Sequence, residues 1–340
     1  MSKLIFLLAF TACTTSAFSQ SDSAAVYLQK GLEEKAKGRW MVSLQHLEKA
    51  NQYKKDDPQI VSELSAAYLG LRKYQQAKAG FLQLEKLGVK TDSTYRQLML
   101  LSFNMRQWDD AIKYASLLKN TKKDEQTAYY LGKSFYEKSD LGNAITYMNI
   151  AAKENPANAE IPYTVARAYA DMMNYKQAIP YFHKAIELNP TQNRWIYEMS
   201  LIYYAIPDDA NALKYMLEAG EKGYRKDNEY LQNLATAYVN AGKPAEGIAM
   251  LQEILKNRPT DMNILNMIAE SYYDIKKYDD AITYFDKILE VDKTNAEALY
   301  MIGMSFQKKG EKAKGQALCD KAIEMDPSLK SLKQEKQMGF

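Results

Sequence analysis

The residues able to do chemistry are few and scattered. The 340-residue chain carries two histidines, His46 and His183, and two cysteines, Cys13 and Cys319. A zinc site needs three or four converging ligands, and a nucleophile needs a base within hydrogen-bond reach. Neither can be assembled from residues so placed. None of the H-E-x-x-H, G-x-x-x-x-G-K-[ST], G-x-G-x-x-G or C-x-x-C patterns occurs. The nearest approach to a phosphate loop, Gly242-Lys243-Pro244, reads as a turn between helices. Asp109-Asp110 and Asp279-Asp280 pair carboxylates, but each pair stands where a helix begins, and acids there complement the helix macrodipole. The expectation is a non-catalytic chain without metal or cofactor.

Composition narrows the partner. Lys and Arg total 45 against 42 Asp and Glu, a net charge of +3, with no run of one sign. A nucleic-acid binder carries a basic stripe, and none is present. With 46% hydrophobic and 26% charged residues the chain is globular, and no apolar stretch reaches the 18 residues of a membrane span.

Residues 1–19 read as a secretory signal. Lys3 supplies the positive end, Leu4 to Phe10 the apolar stretch, and Ala17-Phe18-Ser19 the small-x-small cleavage pattern, which leaves Gln20 first. The expected location is outside the cytoplasm, periplasmic in a bacterium. Phe10-Thr11-Ala12-Cys13 loosely resembles a lipobox, with Phe in place of the usual Leu. Cys13 is therefore read as part of the discarded leader, and an outer-membrane lipoprotein anchored through it is the alternative. Cys319 then remains as a single thiol, expected to be buried and inert.

The organisation lies in a repeat. Ser43, Ala77, Ala111, Ala144, Ala178, Ala212, Gly247, Ala281 and Gly315 follow one another at steps of 34, 34, 33, 34, 34, 35, 34 and 34. Twelve residues before each stands a second small residue, among them Gly31, Ser65, Gly132, Ala166, Ser200, Ala235, Ala269 and Gly303, with Met99 the exception. Nine residues before the first series come Tyr68, Phe135, Tyr169, Tyr203, Tyr238, Tyr272 and Phe306, with Glu34 and Ser102 in the remaining places. Pro156, Pro190, Pro259 and Pro327 close four units.

This pattern resembles the tetratricopeptide repeat, and one copy matches it closely: Ala128, Leu131, Gly132, Phe135, Ala144, Met148, Ala151, Pro156. Nine units are expected, starting near residues 24, 58, 92, 125, 159, 193, 228, 262 and 296. The resemblance implies an all-α fold, a right-handed α-solenoid of helix-turn-helix units over 20–327, with a short capping helix and a frayed tail over 328–340. One such helix pair cannot bury its apolar face alone, so the units must stack. Glycine disfavours helix, by about 1 kcal/mol relative to Ala. Units seven and nine, with Gly247 and Gly315 in their second helices, are accordingly expected to be softer. In the third unit Phe103 and Trp108 are expected to stand in for the missing aromatic.

What remains is a surface. The packing residues of each first helix are unit positions 4, 7, 8 and 11, so positions 2, 5, 9 and 12 point elsewhere. In the family this sequence resembles, that face lines a peptide-binding groove. The correspondence selects Tyr129, Lys133 and Tyr136, then Tyr163 and Arg167, then Arg194, Tyr197, Leu201 and Tyr204, and further on Tyr273. A tyrosine lane offers contact area with a hydroxyl handle. The implied function is a scaffold that binds a peptide segment or a partner protein. A structural subunit or assembly factor of an envelope or secretion complex, and glycan binding by the same tyrosines, are the alternatives.

Overall fold

In the computed structural model, residues 23–118 and 126–330 are described. The leader with Cys13, and the tail expected to form the capping helix and frayed end, lie outside them, apart from a 3-10 turn at Pro327–Leu329. Among the described residues the chain is helical throughout, with no strand.

The chain forms two compact units, 1–173 and 174–340. The first holds α1 (23–36), α2 (Trp40–Tyr53), α3 (Pro58–Gly70), α4 (Tyr74–Lys86), α5 (Asp92–Asn104), α6 (Trp108–Leu118), α7 (Thr127–Glu137), α8 (Leu141–Glu154) and α9 (Glu160–Asp171). The second holds α10 (Tyr175–Leu188), α11 (Asn193–Ala205), α12 (Asp209–Glu221), α13 (Asn228–Asn240) and α14 (Pro244–Asn257). It continues with α15 (Met262–Asp274), α16 (Tyr278–Val291), α17 (Ala296–Lys308) and α18 (Lys312–Met325). From α2 to α9, and again from α10 to α18, each helix packs on its neighbours in sequence. This is the one-dimensional stacking of a helical repeat.

The spacing of small residues dictates the pairing. Ser43, Ala77, Ala111, Ala144, Ala178, Ala212 and Ala281 have at most 1% of their surface exposed. Within each unit such a residue lets the first helix of its pair approach the second closely, as Ala144 does between α7 and α8 and Ala281 between α15 and α16. Larger side chains fill the space between pairs: Phe81, Leu84, Leu98, Tyr114 and Leu131 in the first unit, Leu265, Phe285, Ile288 and Ile302 in the second. Phe103 meets Trp108 edge-on at 5.5 Å and Tyr130 at 4.9 Å, so the third repeat recovers an aromatic one residue late.

The helix starts are capped by side chains at Asp57, Thr91, Asp140, Asp208, Asp227, Asp261 and Asn295. Each accepts from an otherwise orphaned backbone N–H. Asp109 and Asp279 sit in first turns, as expected, and each also takes a lysine from the following repeat, Lys138 and Lys309.

The turns inside the pairs share one conformation. Gly38, Arg72, Arg106, Ser139, Met173, Gly242, Lys276 and Gly310 all have φ between 56° and 98°. The following N–H reaches back to the last turn of the first helix, as in Lys73 N to Tyr68 O (2.8 Å), Asp140 N to Phe135 O (2.9 Å) and Lys277 N to Tyr272 O (2.9 Å). This is the Schellman ending, in which a left-handed residue satisfies the terminal carbonyls. Five of these eight positions hold a residue with a Cβ, which must bear the left-handed strain.

Gly247 and Gly315, the basis for expecting softer units seven and nine, have a packing role. A Cβ on Gly315 would stand 2.4 Å from the carbonyl oxygen of Gly303, and one on Gly247 would stand 2.6 Å from that of Ala235. These helices touch backbone to backbone, which leaves no room for a side chain at either position. Cys319, 2% exposed, stands beside the Gly303–Gly315 crossing where other repeats hold Phe81, Phe182 and Phe285, so a small thiol accompanies the close approach.

Gly315→Ala should therefore cost about 2 kcal/mol or more, because overpacked cores lose roughly 1–3 kcal/mol. Gly142, with nothing within 4 Å of its built Cβ, should tolerate Ala with a gain of a few tenths. Replacing the left-handed Lys276 by Gly should stabilise by about 0.5–1 kcal/mol. Denaturant melts of the three variants check all three signs.

Candidate functional site: the first-helix faces

In the first unit, α7 and α9 lie side by side and carry Tyr129, Lys133, Tyr136, Tyr163 and Arg167. The Tyr136 hydroxyl donates to Asp171 Oδ2 at 2.8 Å. Lys133 Nζ stands 5.6 Å above the Tyr136 ring, 3.5 Å from Thr164 Oγ1 and 3.9 Å from Glu160. Arg167 Nη1 donates to the Tyr163 hydroxyl at 3.3 Å. Tyr136 and Lys133 thus tie α7 to α9, while the Arg167–Tyr163 bond lies within α9, and Lys133, Tyr136 and Arg167 are half-buried.

Burial pushes the Tyr129 phenol up to about 12, and the nearby Glu160 carboxylate adds to the shift. Burial also raises Tyr136 well above the usual phenol range, and its bond to the Asp171 carboxylate reinforces this. Both remain protonated hydroxyl donors at neutral pH.

In the second unit, α11 presents Arg194, Tyr197, Leu201 and Tyr204 along one side. Arg194 is exposed and pairs with Glu198 at 2.9 Å. Leu201 is 36% and Tyr204 49% exposed. On α15, Tyr273 is half-buried, edge-on to Tyr278 at 5.5 Å.

Two of the expected groove residues are not presented in this way. Tyr163 is only 9% and Tyr197 only 6% exposed. Tyr197 stacks on Tyr224 at 4.2 Å, tilts against Tyr230 at 6.0 Å and accepts from Asn233 Nδ2 at 2.8 Å. A helical side chain leans toward the N-terminal turn of its own helix, and at unit position 5 that lean carries the ring into neighbouring structure. The expectation that Tyr163 and Tyr197 line the open groove is therefore corrected: both rings are buried in packing.

Tyr224 was not foreseen. It belongs to the segment 222–227 between α12 and α13, longer than the 258–261 segment at the equivalent place two helices later. The 35-residue step between Ala212 and Gly247 marked an insertion there, but not the ring stacked on Tyr197.

No group of three or more metal-ligating side chains occurs among the described residues. His183 Nε2 lies 3.1 Å from the Tyr203 hydroxyl and edge-on to Tyr215, a joint between repeats. Burial and Lys214 hold its pKa below the usual value.

A profile of the family described as anaphase-promoting complex, cyclosome, subunit 3 matches residues 104–185 and 209–288. A tetratricopeptide-repeat profile matches residues 266–329. The chain belongs to the tetratricopeptide-repeat family. Among solved structures it is similar to YrrB, a tetratricopeptide-repeat protein with an unusual peptide-binding site, at 20% identity, 56% coverage of this chain, 97% of that chain and a TM-score of 0.44. It is also similar to the C-terminal part of a repeat-containing protein from Cytophaga hutchinsonii, at 18% identity, 81% and 99% coverage and a TM-score of 0.49. Against pilF of Pseudomonas aeruginosa the identity is 14%, the coverage 74% and 99%, and the TM-score 0.37. No curated protein matches the chain significantly. Tetratricopeptide repeats generally mediate protein–protein interaction, and their families are typically non-catalytic. Among the described residues no helix is long and apolar enough to cross a membrane.

The raised phenol of Tyr129 fixes a pH response. Its folded-state pKa lies above the ordinary phenol value of 10.0, so its contribution to stability is fully present below about 10 and is lost as pH rises toward 12. Ultraviolet titration of the wild type against Tyr129→Phe should show one phenol ionising late. Tyr197→Ala should lower the melting temperature and cost about 3 kcal/mol, in line with large-to-small changes at buried aromatic sites.

Proposed function

We propose that this chain is an exported, non-catalytic scaffold that binds an extended peptide segment or a partner protein along the first-helix faces. Export rests on the Lys3, Leu4–Phe10 and Ala17-Phe18-Ser19 pattern. Binding rests above all on one observation: α11 holds Leu201 and Tyr204 open to solvent on the same side as Arg194. An exposed apolar and aromatic pair beside a guanidinium is the composition of an interaction hot spot, where Tyr and Arg are enriched.

In the first unit, Lys133, Tyr136 and Arg167 give the same mixture of ring, hydroxyl and cation, with Tyr129 at its edge. Tyr273 extends the set in the second unit. Within each unit a buried tyrosine, Tyr163 in the first and Tyr197 in the second, supports that unit's own face from beneath. The partner contacts fall to the accessible groups, and the buried tyrosines act as their support.

Cross-linking capture from the native cell identifies the partner, and titration with the captured protein measures affinity. Tyr204→Ala should weaken binding by on the order of 1–2 kcal/mol, as hot-spot residues do, with an unchanged melting temperature. Normal binding by a Tyr204→Ala, Arg194→Ala double variant would place the interaction elsewhere on the molecule.

A further inference from the structure

A small cavity opens in the first unit where the start of α7, the end of α8 and the start of α9 converge. Its volume is about 120 Å³. Tyr129 and Tyr130 form its walls, their rings edge-on to each other at 5.5 Å, and Ala151 and Ile161 supply its apolar surface. Three carboxamides complete the lining, from Gln126, Asn155 and Asn158. Both tyrosines are half-buried, and Tyr130 is wedged against Phe103 at 4.9 Å, which fixes its ring. Asn158 is also held: its Oδ1 accepts the backbone N–H of Glu160 at 3.0 Å.

The chemistry of this lining is specific in one respect. Among the described residues the lining side chains are uncharged, the Tyr129 phenol staying protonated to about 12, and the nearest charge acting on that phenol is the Glu160 carboxylate. The helix ends around it oppose one another as well: α7 and α9 bring their positive N-termini, α8 its negative C-terminus. An anion would meet two favourable ends and one unfavourable one, a cation the reverse. The side chains of the lining match a ligand with an apolar face for the rings and several hydroxyls for the carboxamides. Apolar walls with a few convergent polar groups are also the general make-up of a small-ligand pocket.

We propose that this cavity is a carbohydrate subsite that seats one neutral pyranose ring. The ring's C–H face lies against Tyr129 or Tyr130. Its hydroxyls exchange hydrogen bonds with Gln126, Asn155 and Asn158, each of which both donates and accepts. The subsite shares Tyr129 with the first-unit face proposed to meet a protein partner, so its ligand and that partner would meet at this ring.

The test uses the full chain with ¹³C-labelled isoleucine methyls and follows the Ile161 resonance. The probes are the methyl glycosides of glucose, galactose and mannose, N-acetylglucosamine, and, as a peptide-side-chain comparator, N-acetylglutamine methylamide. At least one sugar should shift the Ile161 methyl saturably in the millimolar range, the weak end expected for one ring. Asn158→Ala and Gln126→Ala should each weaken that response at least about threefold, as loss of a hydrogen bond does. Tyr204→Ala should leave it unchanged. Asn158 also accepts the Glu160 N–H and Gln126 stands at the start of α7, so the melting temperature of each variant is measured beside its sugar response, and only a loss of response at an unchanged melting temperature counts for the proposal. No shift with any sugar overturns the proposal. So does a tighter response to the glutamine comparator, which would make the cavity a peptide side-chain pocket, or a response indifferent to both amide variants.

Discussion

Everything in this structure follows from the distance between the two helices of each repeat. Where they touch, the chain places residues with almost no side chain: Ala144 against Gly132, Gly247 against Ala235, Gly315 against Gly303. At Gly315 the approach is backbone to backbone, and a methyl group would fall 2.4 Å from a carbonyl oxygen. Protein interiors pack at crystal density and yield little, so these contacts set the pair geometry with small tolerance. Pair geometry sets where the large residues Phe81, Phe182 and Phe285 fall, and those bury the face between successive pairs. The side of each first helix not consumed by this packing becomes a surface whose content the sequence is free to vary.

The polar devices serve the same geometry. A left-handed residue recurs after nearly every first helix and closes its last turn with backbone hydrogen bonds. Aspartates cap the following helices or, as with Asp109 and Asp279, meet a lysine from the next repeat. Individually such surface pairs contribute little, on the order of 0–1 kcal/mol. They fix entry and exit angles of helices whose stability comes from burial.

The fold was legible because its signal is a distance in sequence. Small residues at steps near 34 locate the helix contacts directly, and the aromatic series nine residues earlier locates the fill. What periodicity could not show was which side of a first helix the next helix covers. Tyr197 and Tyr204 both belong to the unoccupied side by angular count, yet one is 6% and the other 49% exposed. Tyr224, outside any helix, makes that difference by stacking on Tyr197. The packing role of Gly247 and Gly315 was hidden for a related reason: helix propensity is local, whereas those glycines answer to a neighbouring backbone. The pocket beside Tyr129 was equally invisible, since Asn155 and Asn158 lie in a linker with no periodic role.

The central claim is that each helix pair is held by its own small-residue contact and that coupling runs to nearest neighbours. Hydrogen exchange on an Ala144→Phe variant tests it most directly, because Ala144 is fully buried at the contact of α7 with α8. The account predicts that amide protection collapses in α7 and α8, falls partly in α6 and α9, and is retained in α15 to α18. Native protection throughout α7 and α8, or an equal loss in all helices, would contradict it.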